Sequence, residues 1–138
     1  MKLQVEGIND LLQAIEDKKQ EIRRAVYAEV ESSAYRVRSK AVRRVQQSAA
    51  SGAVYEKYSP RRTHQASAPG EAPATDTGAL AGSIAVRGRS GDWYVVSDIR
   101  YAPMLEFGTS KMEARPFLFP SLEEVRPQFE QNMRGLLQ

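Results

Sequence analysis

His64 is the only histidine in the chain, and it lies in a loop beside arginines with no cysteine anywhere in the 138 residues. Zinc sites are built from Cys, His and carboxylates at short fixed spacings, and no carboxylate stands at helical spacing from His64, so no metal site is predicted. A Ser–His–Asp trio can be drawn through His64 and Asp76, but no Gly-x-Ser-x-Gly turn is present to expose a nucleophile, and most chains offer such a trio. Gly88 and Gly91 match no phosphate-cradling loop and suit a tight turn. Glu123-Glu124 opens a helix, where carboxylates face the positive end of the dipole. The residues therefore predict a protein that is not an enzyme and carries no cofactor.

Charge is the next resource. The net charge is only +3, yet residues 32–62 hold eight basic side chains and one acidic, while residues 1–31 and 63–138 are each at −2. A local block of +7 creates a positive field suited to phosphate or to an acidic neighbour. Arg36, Lys40 and Arg43 share a helical face with Arg44 beside it, and no acidic residue stands close by in sequence. That face is expected to look toward DNA or an acidic partner. The alternatives are a solvated helix surface or a small basic nucleic-acid-binding module, although no helix-turn-helix companion is present to read bases.

The elements that must carry these groups follow from the hydrophobic spacing. Ile8, Leu11, Ile15, Ile22, Val26, Val30, Val37, Ala41 and Val45 recur at threes, fours and sevens, which predicts one long amphipathic helix. Asp10 with Gln13 reads as its capping box, and the polar run Glu16–Gln20 as a place for a break. Lys2–Glu6 alternates polar and apolar like a short strand. Residues 50–77 form a long loop rich in Ala, Ser, Gly, Pro and Thr, expected to be mobile until it docks, with Tyr55, Tyr58, Arg61 and Arg62 as interface groups. Ser83–Val86 and Trp93–Ile99 predict an antiparallel pair joined through Gly88 and Gly91. A last helix carries Leu122, Val125, Phe129 and Met133, capped by Ser121 with Glu124 and interrupted at Pro127. The fold class is α+β: a long N-terminal helix packed on a small antiparallel sheet, a long loop and a C-terminal helix, in a single domain over residues 1–138. No apolar run is long enough to span a bilayer, and the first residues lack the apolar stretch of a signal peptide, so no membrane partner and a cytoplasmic site of synthesis are expected.

The most specific text is Tyr101-Ala102-Pro103-Met104-Leu105-Glu106-Phe107-Gly108-Thr109, continuing through Ala114-Arg115-Pro116-Phe117-Leu118-Phe119-Pro120. It resembles the signature of the tail-completion (neck) proteins of long-tailed, lambdoid-type bacteriophages, in which Tyr-Ala leads to Glu-Phe-Gly-Thr, then Ala-Arg-Pro-Phe and a Pro before the last helix. Ala68-Pro69-Gly70-Glu71-Ala72-Pro73, followed by Asp76-Thr77-Gly78-Ala79-Leu80, is similar to the loop of that family. The resemblance implies a virion structural protein that joins head to tail. It would be a ring subunit, most simply six-fold, between the connector and the tail tube, with phage DNA passing through the lumen; a minor tail or head protein is the nearest alternative. Assembly would take place in the bacterial host cytoplasm. Tyr101, Glu106, Phe107, Gly108, Thr109, Arg115, Pro116, Phe117 and Phe119 would then serve subunit and partner contacts. Gly108 would permit a backbone that a side chain would strain, Glu106 could pair with Arg115, and ordinary core is the competing role for the three phenylalanines, Phe107 above all.

Overall fold

The computed structural model describes residues 1–138 and has an α+β architecture. Helix α1 (Ile8–Gln46) is followed by hairpin β1 (Val54–Tyr58) and β2 (Arg61–Gln65), a one-turn helix α2 (Ala79–Ser83), hairpin β3 (Ile84–Arg89) and β4 (Asp92–Ser97), a short helix α3 (Ala102–Phe107) and α4 (Leu118–Leu136). The two hairpins form separate two-stranded antiparallel sheets.

α1 is continuous through the expected break. The polar run Glu16–Gln20 is tied into the helix by its own side chains. Gln13 donates to Asp17, Gln20 to Glu16, Lys19 to Glu16 and Lys18 to Glu21, all at one-turn spacing. Such pairs each add a few tenths of a kcal/mol to a helix, enough to carry it past a gap in the apolar stripe. The Asp10–Gln13 capping box does not form. The helix starts at Ile8 from Gly7, whose φ of 85° turns the chain away, and Asp10 lies in the first turn.

α4 runs antiparallel to α1, since Glu124 meets Lys40 and Arg44 near one end and Asn132 meets Glu29 near the other. It begins one turn before the expected cap. Ser121 is fully buried inside it and donates to the Phe117 carbonyl at 2.6 Å. Pro120 falls in the first turn, where a missing N–H costs nothing, and the helix passes through Pro127 without interruption.

The core lies where α1, α2, β3 and α3 meet. Ala41 and Val45 of α1 pack with Leu80, Ala81, Ile84, Ala102 and Phe117, and Val42, Val95, Ile99, Leu105 and Leu118 seal the margin. The second hairpin pairs Ile84 with Ser97 through Arg89 with Asp92. Ser90 and Gly91 between the strands both have positive φ, as a two-residue type I′ turn requires. Only 14 of 138 residues are buried, a thin core for a chain that would normally remove about two-thirds of its surface from water. Much apolar surface is left outside. Leu3, Val5, Ile8, Leu11, Leu12 and Ile15 are all exposed, and the strand expected at Lys2–Glu6 does not form.

Candidate functional site

The 101–120 segment folds back on itself as one unit. α3 ends at Gly108, whose φ of 75° lies in the region that favours glycine. A Cβ there would stand 2.9 Å from both the Met112 carbonyl oxygen and the Ala114 nitrogen. Thr109 N–H donates to Met112 O at 2.8 Å and closes a tight loop. Arg115 N–H donates to the Leu105 carbonyl at 2.6 Å, returning the chain along α3.

Glu106 is the hinge of this arrangement, and its role differs from the expected pairing with Arg115. Its Oε2 accepts the Phe117 and Leu118 N–H groups at 2.8 and 3.0 Å, and its Oε1 accepts Phe119 N–H at 2.8 Å. One carboxylate therefore satisfies three of the N–H groups that the start of α4 leaves without helical partners, and it meets the positive end of the dipole. Arg115 reaches Met112 Sδ at 3.8 Å instead, and its Nε is buried without a partner. Pro116 is half-buried, in the segment that leads into α4.

The three phenylalanines separate. Phe117 is completely buried and belongs to the core, so its expected role as an interface anchor is corrected. Phe107 is 82% exposed and Phe119 60% exposed, the reverse of a core assignment for Phe107. Tyr101 is also exposed, on the approach to α3.

Beside Phe107 and Phe119 opens an apolar groove of about 850 Å³. Its floor is α1 at Val30, Ala34 and Val37, and α3 and α4 form its other walls. Five consecutive residues of β4, Trp93–Ser97, border it, so the groove runs along the strand itself. Tyr35 of α1 holds Trp93 in place, with ring centroids 6.4 Å apart at 51°. β4 pairs only with β3, and its other edge makes no backbone hydrogen bond. Sequence reasoning did not reveal this groove, because it placed the long helix on a small sheet without locating which apolar surface that sheet leaves uncovered. The readable signal was the stretch Trp93–Val96, denser in large apolar residues than one small hairpin can bury.

The 50–77 stretch is not a structureless loop. It contains the β1–β2 hairpin, in register from Val54 with Gln65 to Tyr58 with Arg61. Asp76 holds it from outside, taking Arg62 in a two-point contact at 2.8 Å on each oxygen and Lys57 at 2.5 Å. Those hydrogen bonds, from Arg62 first and Lys57 second, hold the Asp76 carboxyl far below the usual range against a smaller opposing effect of burial. His64 Nδ1 lies 3.8 Å from the same carboxylate. Glu71 fixes the base of the stretch through Ser51 and the Ala68 N–H, and these bonds lower its pKa. Tyr55, Tyr58 and Arg61 project outward on the hairpin, and Arg62 is bound to Asp76.

Three of the four cations on the basic face of α1 are paired within the fold. Lys40 pairs with Glu124 at 3.3 Å and Arg44 with the same carboxylate, a residue 80 positions away. Arg36 pairs with Glu29 at 2.5 Å. Burial pushes the Glu29 pKa up, but hydrogen bonds from Asn132, Arg36 and Ser33 outweigh it and the net shift is downward. Arg38, next along the helix, donates to the Ile84 carbonyl at 2.8 Å. Of the four cations expected to face DNA, only Arg43 is exposed without an acidic partner, so they do not form one open basic surface.

No family model, curated protein or solved structure matches the chain.

Proposed function

We propose that this chain is a virion structural protein that joins phage head to tail, a ring subunit of the neck with DNA passing through its lumen. The observation that carries the reading is the fate of the 101–120 segment. Its internal residues are spent on its own architecture: Glu106 caps α4, Gly108 makes the turn and Phe117 fills the core. Its outward residues, Phe107 and Phe119, are large, apolar and exposed beside an apolar groove. A segment built for shape and apolar contact suits a subunit that docks on protein, since contiguous exposed apolar surface marks interaction sites. The resemblance of residues 68–84 and 101–120 to tail-completion proteins supplies the place of docking, and neighbouring connector and tail-tube proteins are the partners it implies.

The test is electron microscopy of lysates from a phage carrying an early stop codon in this gene. Full heads beside separate, finished tails are expected. Joined and infectious particles would overturn the reading, and tails lacking a tube or heads without DNA would move the protein to a tail or head station.

A further inference from the structure

We infer that the N-terminal arm of each subunit, residues 1–15, seats in the groove along β4 of a second copy of this chain. The inference rests on the ring reading only for closure of the assembly; the contact itself stands on this chain's own surfaces.

Two incomplete surfaces are present, and each supplies what the other lacks. The arm begins with Lys2–Glu6, a segment that belongs to no helix or strand and in which apolar residues alternate with polar ones, Leu3 90% and Val5 64% exposed. A strand is completed by a partner that takes up its N–H and C=O groups, and this segment has none. Directly after it, Ile8, Leu11, Leu12 and Ile15 present an apolar stripe with nothing packed on it. The groove offers the complement: a strand edge with free backbone groups beside apolar side chains of α4, Phe119, Leu122 and Phe129. Addition of an extended segment to an exposed edge is a recurring mode of recognition, with alternate side chains entering pockets.

The arm cannot satisfy its own groove. α1 is one unbroken helix from Ile8, and the groove begins on it at Val30. Gly7 and Val30 are therefore about 34 Å apart at 1.5 Å per residue. Six residues extended back along the helix reach only about 20 Å. Ile15 sits on the rigid rod itself, more than four turns from the groove. Seating must occur between chains. Twenty residues line the groove, the lower end of the roughly 20–30 residues a side of a standard stable interface, and the arm faces them with a shorter segment. Because arm and groove are different surfaces, the contact is head-to-tail, and repetition closes into a ring when the rotation allows.

The chain's lack of cysteine permits a direct test. The full-length double variant Val5→Cys with Tyr94→Cys is oxidised with oxidised glutathione and resolved on a denaturing gel, beside sedimentation of the unmodified protein. A ladder of cross-linked species from dimer upward is expected, and it should vanish when Leu11→Asp and Ile15→Asp are added. Far-UV circular dichroism and the urea midpoint of that four-site variant should hardly differ from those of the two-cysteine protein, because Leu11 and Ile15 are exposed and lie outside the core. A cross-linked dimer alone would keep the seating and replace the ring by a reciprocal pair. Monomeric bands with monomeric sedimentation, or a ladder indifferent to the two aspartates, would overturn the inference. Separated heads and tails in the stop-codon phage without any such ladder would leave the neck assignment standing and remove the arm contact.

Discussion

Replacing Glu106 should loosen the start of α4. The carboxylate accepts three backbone N–H groups at 2.8–3.0 Å, and these would otherwise rely on water at the exposed Phe119 end and on nothing at the buried Phe117 end. Loss of a single N-cap acceptor costs roughly 1 kcal/mol and at most about 2, and a buried hydrogen bond to a charged group contributes about 1.5–3 kcal/mol net, less where, as at Phe119, water can replace it. Glu106→Ala is therefore expected to cost about 2 kcal/mol, and Glu106→Gln, which keeps a carbonyl but loses the charge, about 1 kcal/mol. With a urea m-value of about 2 kcal/mol/M, the midpoint should fall by about 1 M for alanine and half as much for glutamine. Urea unfolding followed by circular dichroism measures both. Equal midpoints for wild type and Glu106→Ala would refute the capping role. Equal losses in the two variants would refute the part assigned to charge.

Gly108→Ala should lower the thermal midpoint by several degrees, because it forces a Cβ to 2.9 Å from two backbone atoms at a φ that disfavours side chains. Phe117→Ala should cost about 3–5 kcal/mol in urea unfolding as a full core deletion, whereas Phe107→Ala should leave the midpoint near wild type and weaken attachment of the protein to neck-less tails in a pull-down. Asp76 has a depressed pKa, so its contribution is full above the ordinary carboxylate value near pH 4 and is lost as pH falls through the folded value. Proteolytic cutting of the 54–65 hairpin should thus accelerate in strongly acidic buffer with an acid-stable protease, and Asp76→Asn should already be fast at neutral pH. Glu124→Gln frees Lys40 and Arg44; duplex-DNA affinity by fluorescence anisotropy should rise from a weak baseline and its salt slope steepen by about 1–2. No change in slope would mean those cations do not face nucleic acid at all.

The long helix was legible because its apolar residues keep one period over ten turns, and the β3–β4 hairpin because Trp93–Val96 is dense in strand formers and Ser90-Gly91 suits its turn. The class of fold follows from those two. The boundaries were less readable. Ser121 and Glu124 match a capping box, yet the cap comes from Glu106, a residue on another element that no local pattern reveals. The β1–β2 hairpin was hidden because Tyr55, Arg61 and Arg62 lie in a polar, proline-bearing stretch, and its support is the distant carboxylate of Asp76. The basic face read as open because Glu124, which pairs with Lys40 and Arg44, resides on α4. In each case the missing information was a tertiary partner. The outward role of Phe107 was named among the family positions, while composition alone favoured the core; its exposure follows from its place at the last position of α3, just before the turn at Gly108.

The distribution of apolar surface bears on which reading of the charges is sound. A free-standing nucleic-acid-binding module needs a closed core and an open basic face, and this chain has the opposite. Its cations at Arg36, Lys40 and Arg44 are paired within the fold, while its uncovered surface is leucine, isoleucine, valine and phenylalanine along the arm and the groove. Lys40 and Arg44 fasten α4 to α1 through Glu124, and those two helices supply the floor and one wall of the groove. Charge therefore shapes the apolar site and does not compete with it. In the proposed ring, each subunit would bury in its neighbours the apolar surface that its own thin core leaves in water.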